Sequence, residues 1–338
     1  MSCKSRVRAA LEFRATLYVP YSFGFASPVA ARLSRHYGVV DPFVALGMHV
    51  FAIGPRPAAD FAPPAEGVDE FGVGWHTTRF GARLPVQHPM PKPTLQGYGW
   101  PDPRAPGRFD HVDETMAANR DRFLVAVVNH TLFEQAYFLR GFEEFLLDLA
   151  LRPAFAHALL DRVLEFDLAI LEALLAFPVD GVWFGDDYGH QGGLFISPQM
   201  WRRFVKPRLA VLFERARRQG LPTFLHSDGN VVELIPDLLE IGLNVLNPLQ
   251  PEVMDLAWLK REYGRDLCFC GGISAQRVLS QGTPEEVESE LREKVGLLAQ
   301  GGGYIVATAG SVQADVPLVN LVRLMDLLRG QDRQPLRG

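Results

Sequence analysis

Two short clusters in this sequence carry groups able to bind a metal or move a proton. His226-Ser227-Asp228 sets an imidazole and a carboxylate two positions apart. In a turn leaving a strand, both side chains can face one centre, and histidine nitrogen and carboxylate oxygen are good zinc ligands. The plainer reading is an imidazole held by its neighbouring carboxylate, with Asp228-Gly229 making the turn. Asp186 and Asp187 place two carboxylates side by side ahead of Tyr188-Gly189. One can hold a metal or a substrate proton while the other caps the loop or pairs with arginine. Two carboxylates that share a site keep one proton to higher pH, which suits acid–base chemistry.

Other polar residues stand where strands are expected to end. His130 and Tyr137 follow an early apolar run, and Asn247 and Gln250 follow a later one. Cys268 and Cys270 alternate along a predicted strand and are expected on opposite faces, so that one metal cannot take both thiols. Cys270, nearer the strand end, is the site candidate, against simple burial of a small apolar thiol.

The elements that must position these groups are legible from about residue 120 onward. Short apolar runs lie at Phe123–Val128, Val182–Phe184, Thr223–Leu225, Val245–Leu246, Leu267–Phe269 and Tyr304–Ala307. Helical spacing fills the intervals at Phe142–Leu151, Ala154–Ala176, Pro198–Gln219, Val231–Ile241, Asp255–Tyr263, Pro284–Gln300 and Pro317–Leu328. Thr283, Pro284 and Glu286 form a complete helix start with a capping box.

Strands alternating with helices at this spacing mean a parallel sheet covered by helices. With a further strand near Thr16–Tyr21 and a poorly defined second one, the pattern reads as a (β/α)8 TIM barrel. An open doubly wound sheet is the rival, but no glycine-rich phosphate loop follows the first strand. In a barrel the polar residues at the strand ends converge on one mouth.

The first third is less regular. Gly54–Pro64 and Gln87–Pro106 are too rich in proline for long helices. Val68–Thr77 and Gly81–Val86 read as a small hairpin between them. We expect residues 1–330 to form a single barrel domain, with 54–110 as an insertion or lid and 331–338 as a flexible tail. Neither proline-rich piece can bury a core of its own.

Composition narrows the function. With 34 Lys+Arg against 39 Asp+Glu, the net charge of −5 argues against a nucleic-acid track. Three cysteines exclude a disulfide framework and point to a reducing compartment. Residues 1–15 lack an apolar signal core, and no uncharged apolar stretch is long enough to span a bilayer. A cytoplasmic location and no membrane partner are therefore expected.

Taken in order, a set of motifs resembles the uroporphyrinogen decarboxylase superfamily. It comprises Gly185-Asp186-Asp187-Tyr188-Gly189 with Gln191, Ile196-Ser197-Pro198, His226-Ser227 with Gly229, and Leu246-Asn247-Pro248 with Gln250. It continues through Gly271-Gly272-Ile273, Gly282-Thr283-Pro284-Glu285-Glu286-Val287, Gly302-Gly303-Tyr304 and Asp315-Val316-Pro317 with Asn320. The resemblance covers roughly residues 120–330. It implies the same barrel, a homodimer, and one of two chemistries. One branch decarboxylates the acetate arms of uroporphyrinogen with no cofactor. The other moves methyl groups to or from a corrinoid carried by a partner protein, usually with zinc.

This chain departs from both patterns. The decarboxylase carries R-Q-A-G-R near its first strand, whereas Thr16–Ala31 has no arginine. A substrate with eight carboxylates calls for an arginine cluster. Its histidine after the last strand falls near Gly310-Ser311, while Tyr137 matches a decarboxylase tyrosine. The zinc methyltransferases carry H-x-C where this chain has His226-Ser227-Asp228, and a second cysteine near Gly310-Ser311. A zinc held by nitrogen and oxygen would be more Lewis acidic than a thiolate site.

The first reading is a barrel methyltransferase that takes methyl from a small O-, N- or S-methyl substrate to a corrinoid protein. His226 and Asp228 then bind metal, with Cys270 as a further candidate ligand and Asp186 or Asp187 as ligand or acid. Tyr188, Asn247, Gln250 and His130 contact substrate. The alternatives are a cofactor-free decarboxylase of a tetrapyrrole or smaller carboxylate, with Asp187 and Tyr137 nearest the chemistry, and a non-catalytic binding barrel.

Overall fold

The structure, a computed structural model, describes residues 1–63 and 65–336; Pro64 and the last two residues of the expected tail lie outside them. In chain order the strands are β1 (Val50–Ile53), the pair β2 (Gly74–Thr77) and β3 (Arg83–Gln87), β4 (Phe123–Val128), and β5 (Gly181–Gly185). Then come the short pair β6 (Gly189–His190) and β7 (Gly193–Leu194), β8 (Thr223–His226), β9 (Val245–Leu249), β10 (Cys268–Ile273) and β11 (Tyr304–Thr308). The helices are α1 (Cys3–Leu11), α2 (Ser27–Tyr37), α3 (Pro42–Ala45), α4 (Val112–Ala118), α5 (Leu132–Arg140), α6 (Phe142–Leu151) and α7 (Pro153–Leu174). They continue as α8 (Pro198–Phe204), α9 (Lys206–Arg217), α10 (Ile235–Glu240), α11 (Leu256–Tyr263), α12 (Val278–Gln281), α13 (Pro284–Leu298) and α14 (Leu318–Arg329).

Seven strands form one parallel sheet in the order β1-β4-β5-β8-β9-β10-β11. The segment around Tyr21 supplies the remaining wall. Tyr21 bridges Val306 of β11 in parallel, and on the other side the His49 amide donates to the Tyr21 carbonyl at 3.0 Å. The sheet thereby curls into the expected TIM barrel, with the Thr16–Tyr21 region closing it as an irregular staple.

Alternation along the strands sorts the core into two layers. Val125, Val127, Phe224, Val245, Ile305 and Ala307 fill the barrel interior, and Val7 and Ala10 of α1 plug its N-terminal end. The opposite faces pack under the helices in a second, larger cluster. Cys268 and Cys270 both lie in the interior cluster. The expectation of opposite faces is corrected here: strand side chains repeat every two residues, so positions 268 and 270 share a face.

Most helices match their apolar spacing. Thr283 Oγ1 accepts from the Glu286 amide at 3.3 Å, and the Glu286 carboxylate accepts from the Thr283 amide at 2.8 Å, closing the capping box. The expected helix Pro198–Gln219 is broken at Val205, because Pro207 has no N–H to donate and starts α9 afresh. No helix among the described residues is long and apolar enough to cross a membrane.

Residues 54–110 are ordered by specific polar contacts around the β2–β3 hairpin. The buried Arg108 guanidinium donates to Glu70 and to the carbonyls of Asp102 and Arg56. Asp69 accepts from the amides of Phe71 and Val73 and from the Trp75 indole. Arg140, at the end of α5, holds the Met90 and Pro91 carbonyls and is itself held by Asp148 at 2.8 Å. Gln331, placed by the sequence in a free tail, is buried and pairs with both backbone groups of Val19.

Candidate functional site

The C-terminal ends of β5 and β8 bring three of the anticipated groups together. One ligand atom each from Asp187, His226 and Asp228 lies within 4.8 Å of the others. His226 Nε2 stands 3.9 Å from Asp187 Oδ1 and 3.9 Å from Asp228 Oδ2. The Asp187 carboxylate also accepts from the Asp228 amide at 2.7 Å, which ties the two loops into one unit.

The imidazole is oriented by Asn247. The Asn247 amide nitrogen donates to the Cys270 carbonyl at 3.1 Å, so its oxygen faces His226 Nδ1, 2.6 Å away. An amide oxygen only accepts; Nδ1 therefore carries the proton and Nε2 is left to face the carboxylates. Asn247, expected to orient substrate, lines the cavity and fixes the histidine tautomer, the part usually played by the hydrogen-bond partner of a metal-ligating imidazole. Asn247→Ala is expected to weaken zinc binding by roughly 10- to 100-fold with the fold kept, as measured by competitive zinc titration.

Burial raises the Asp187 carboxyl to about 7, with Glu134 adding to the rise and His226 opposing it. Burial alone would lower the proton affinity of His226, but Asp228 and Asp187 outweigh it and hold the imidazolium above its usual range. Asp228 Oδ1 is buried without a hydrogen-bond partner among the described residues. A bare carboxylate oxygen beside an imidazole and a second carboxylate fits a divalent cation.

The remaining anticipated residues divide. His130 lines the same cavity of about 540 Å³ as His226, Asp228, Asn247 and Cys270. Its backbone takes φ 52°, a left-handed conformation that few non-glycine residues adopt, and its ring is 3.5 Å from Glu134. Tyr137 is half-buried, with its hydroxyl 3.4 Å from Glu134, and burial raises its pKa. Cys270 reaches the cavity floor, but burial pushes its thiol up to about 12 and it stands outside the ligand cluster. It is not positioned as a thiolate ligand.

Asp186 and Tyr188 face away from the cavity. Asp186 is fully buried and accepts from the Phe133 and Glu134 amides at 3.0 and 2.8 Å, capping α5 from another strand. Tyr188 packs against Trp201 and Phe133 in the core, so neither residue has the anticipated access to substrate. Gln250 accepts from the Gly229 amide at 3.2 Å and braces the turn after Asp228. That turn needs glycine: at φ +82°, a Cβ would lie 2.4 Å from the Gly189 carbonyl carbon.

Two residues escaped the sequence reading. Glu134 lies on α5, whose cap comes from Asp186, distant in sequence, so no local start signal marks it. Arg83 extends from the hairpin into the cavity and stacks over Trp75 at 4.7 Å. It is the one arginine on the described lining, and no lysine joins it. Gly310 matters by what it omits. An added Cβ there would stand 3.6 Å from Asp228 Oδ2, so glycine leaves this flank of the cluster open. A larger cavity, about 620 Å³, lies at the opposite end of the barrel beside α1 and lacks such a cluster.

Comparisons with known proteins agree with this architecture. The profile of the uroporphyrinogen decarboxylase (URO-D) family matches residues 102–331. A methylated-thiol–coenzyme M methyltransferase of Methanosarcina mazei is 26% identical over 169 residues, 50% of this chain and 43% of the relative. The match therefore spans less than half the length of that protein. A solved methyltransferase structure from Methanosarcina mazei superposes with a TM-score of 0.71 at 17% identity, covering 98% of this chain and 99% of the other. That likeness shows the fold.

Proposed function

Because the chain belongs to the uroporphyrinogen decarboxylase family, we propose that it is a methyltransferase of that family, moving methyl from a small methylated compound to a corrinoid on a partner protein. The observation that carries the reading is the Asp187–His226–Asp228 cluster, with its orphaned Asp228 oxygen and the open flank at Gly310. Three protein ligands and a free position are the usual form of a catalytic zinc site. Zinc held there would act as a Lewis acid on the heteroatom that the methyl group leaves.

The chain's own residues supply the rest. Asn247 keeps Nε2 directed at the centre. His130, on the cavity wall 3.5 Å from Glu134, would meet the departing heteroatom. A lining with a single arginine suits a small substrate better than a porphyrin with many carboxylates. The methyltransferase relative supports the same choice between the two chemistries of the family.

The test is formation of methylcobalamin from cob(I)alamin with methanol, trimethylamine, dimethyl sulfide or methoxybenzene as donor. Methyl transfer from one of these should stop on exhaustive chelation and return with zinc. Turnover unaffected by chelation, or carbon dioxide release from a porphyrinogen without methyl transfer, would replace this reading by the decarboxylase.

A further inference from the structure

A second chamber of about 430 Å³ opens sideways from the cavity over the centre. The two share Ser22, Gly24 and Trp183. Trp183 is the partition. Its ring points into the barrel from β5 and is held flat by Phe224 beneath it, with centroids 5.3 Å apart and planes 13° from parallel. The chamber lies where the barrel seam is thinnest, between Ser22–Gly24 and β1. Below it the His49 amide joins the Tyr21 carbonyl at 3.0 Å, and at its level the Ser22 hydroxyl reaches the Val50 carbonyl at 3.4 Å.

Its lining is largely apolar, with Phe43, Met48, Val50, Phe51 and Val127 contributing, and of these Val50 and Val127 share the barrel interior with Trp183. The carboxylate on its rim, Asp41, is already engaged: it accepts from the Phe43 and Val44 amides and caps α3. At the end of β4 the Asn129 amide also reaches the chamber. Water in such a space finds few partners, and an apolar ligand displaces it favourably.

We infer that this side chamber takes the apolar, ring-bearing body of the substrate, with Asn129 meeting a polar substituent and the methylated heteroatom lying past Trp183 over the carboxylate–imidazole cluster. The donor is then a methylated compound with a flat apolar ring, not a one-carbon alcohol or amine. The nature of the reacting end rests on the methyl-transfer reading. Occupancy of the chamber does not.

Ala52 permits a clean test. It is exposed, lines the chamber and stands outside the cluster. Binding of methoxybenzene and of methanol to the full-length protein would be measured by calorimetry or ligand-observed NMR, with zinc titrated in parallel. Ala52→Phe should weaken methoxybenzene at least about tenfold and leave zinc binding unchanged. Phe43→Ala, which removes a ring from the wall, should weaken it as well and serves as the second variant. Unchanged methoxybenzene affinity in a folded Ala52→Phe or Phe43→Ala protein would overturn the inference, as would failure of the wild type to bind methoxybenzene. Loss of methoxybenzene binding in Ala52→Phe, in a protein that takes up no zinc, would remove the methyl-transfer reading and leave the chamber standing.

Discussion

His226→Ala is expected to lose zinc by more than about 100-fold in affinity, because removing the hydrogen-bond partner of a ligand alone costs about 10- to 100-fold and this change removes a ligand. The cluster offers a single nitrogen, Nε2, and the variant leaves only Asp187 and Asp228. The wild-type pH profile should carry the mark of the same groups. Asp187 is raised to about 7 and His226 is raised as well, so both hold protons in mildly acidic solution that zinc must expel. Zinc affinity should therefore climb with pH through about 7, where Asp187 gives up its proton. In His226→Ala the climb should be shallower by about one proton. A competition titration against a chromophoric chelator from about pH 6 to 8 reads both quantities. Wild-type zinc affinity in His226→Ala would exclude the cluster as the metal centre.

Asp148→Ala should cost about 3–5 kcal/mol of stability, the usual penalty for stranding one partner of a buried ion pair. Asp148 is fully buried between Arg140 at 2.8 Å and Arg152 at 2.7 Å. Arg140 is itself buried, and its remaining acid, Glu144, lies out on an exposed rim. Because Arg140 also grips the Met90 and Pro91 carbonyls, the loss should spread from the helical layer into the proline-rich cover. Urea unfolding of wild type, Asp148→Ala and Asp148→Asn separates charge from shape. A loss under about 1 kcal/mol in Asp148→Ala would mean that the pair is dispensable.

The barrel was legible because its signals are local. Apolar runs from Phe123 to Ala307 alternate with amphipathic helices, and each carries its own periodicity. The strand expected near Thr16–Tyr21 does form part of the wall, but only as an irregular segment, because its ties, to Val306 and His49, are isolated contacts supplied by the fold. The centre was half legible. His226 and Asp228 announce themselves by spacing, and Asp187 by its neighbour. Which of the paired aspartates faces the cavity depends on α5, whose amides claim Asp186 across more than fifty residues. The roles of Asn247 and Gln250 depend in the same way on contacts between different strand ends. Cys268 and Cys270 share the interior face because strand side chains repeat every two residues.

The wall of the barrel is uneven in a way that bears on how the protein moves. The cluster hangs from β5 and β8, with β9 behind them supplying Asn247, and the three strands are joined by continuous ladders of parallel pairing. Across the mouth, the Tyr21–Phe25 stretch is tied by isolated backbone contacts, to Val306 and Val312 on one side and to His49 on the other. Strain imposed at the mouth will therefore be taken up by the weaker arc, as a hinged gate yields before its post. The candidate centre sits on the post, so a small displacement of the weaker arc would leave the interatomic spacings at Asp187, His226 and Asp228 unchanged.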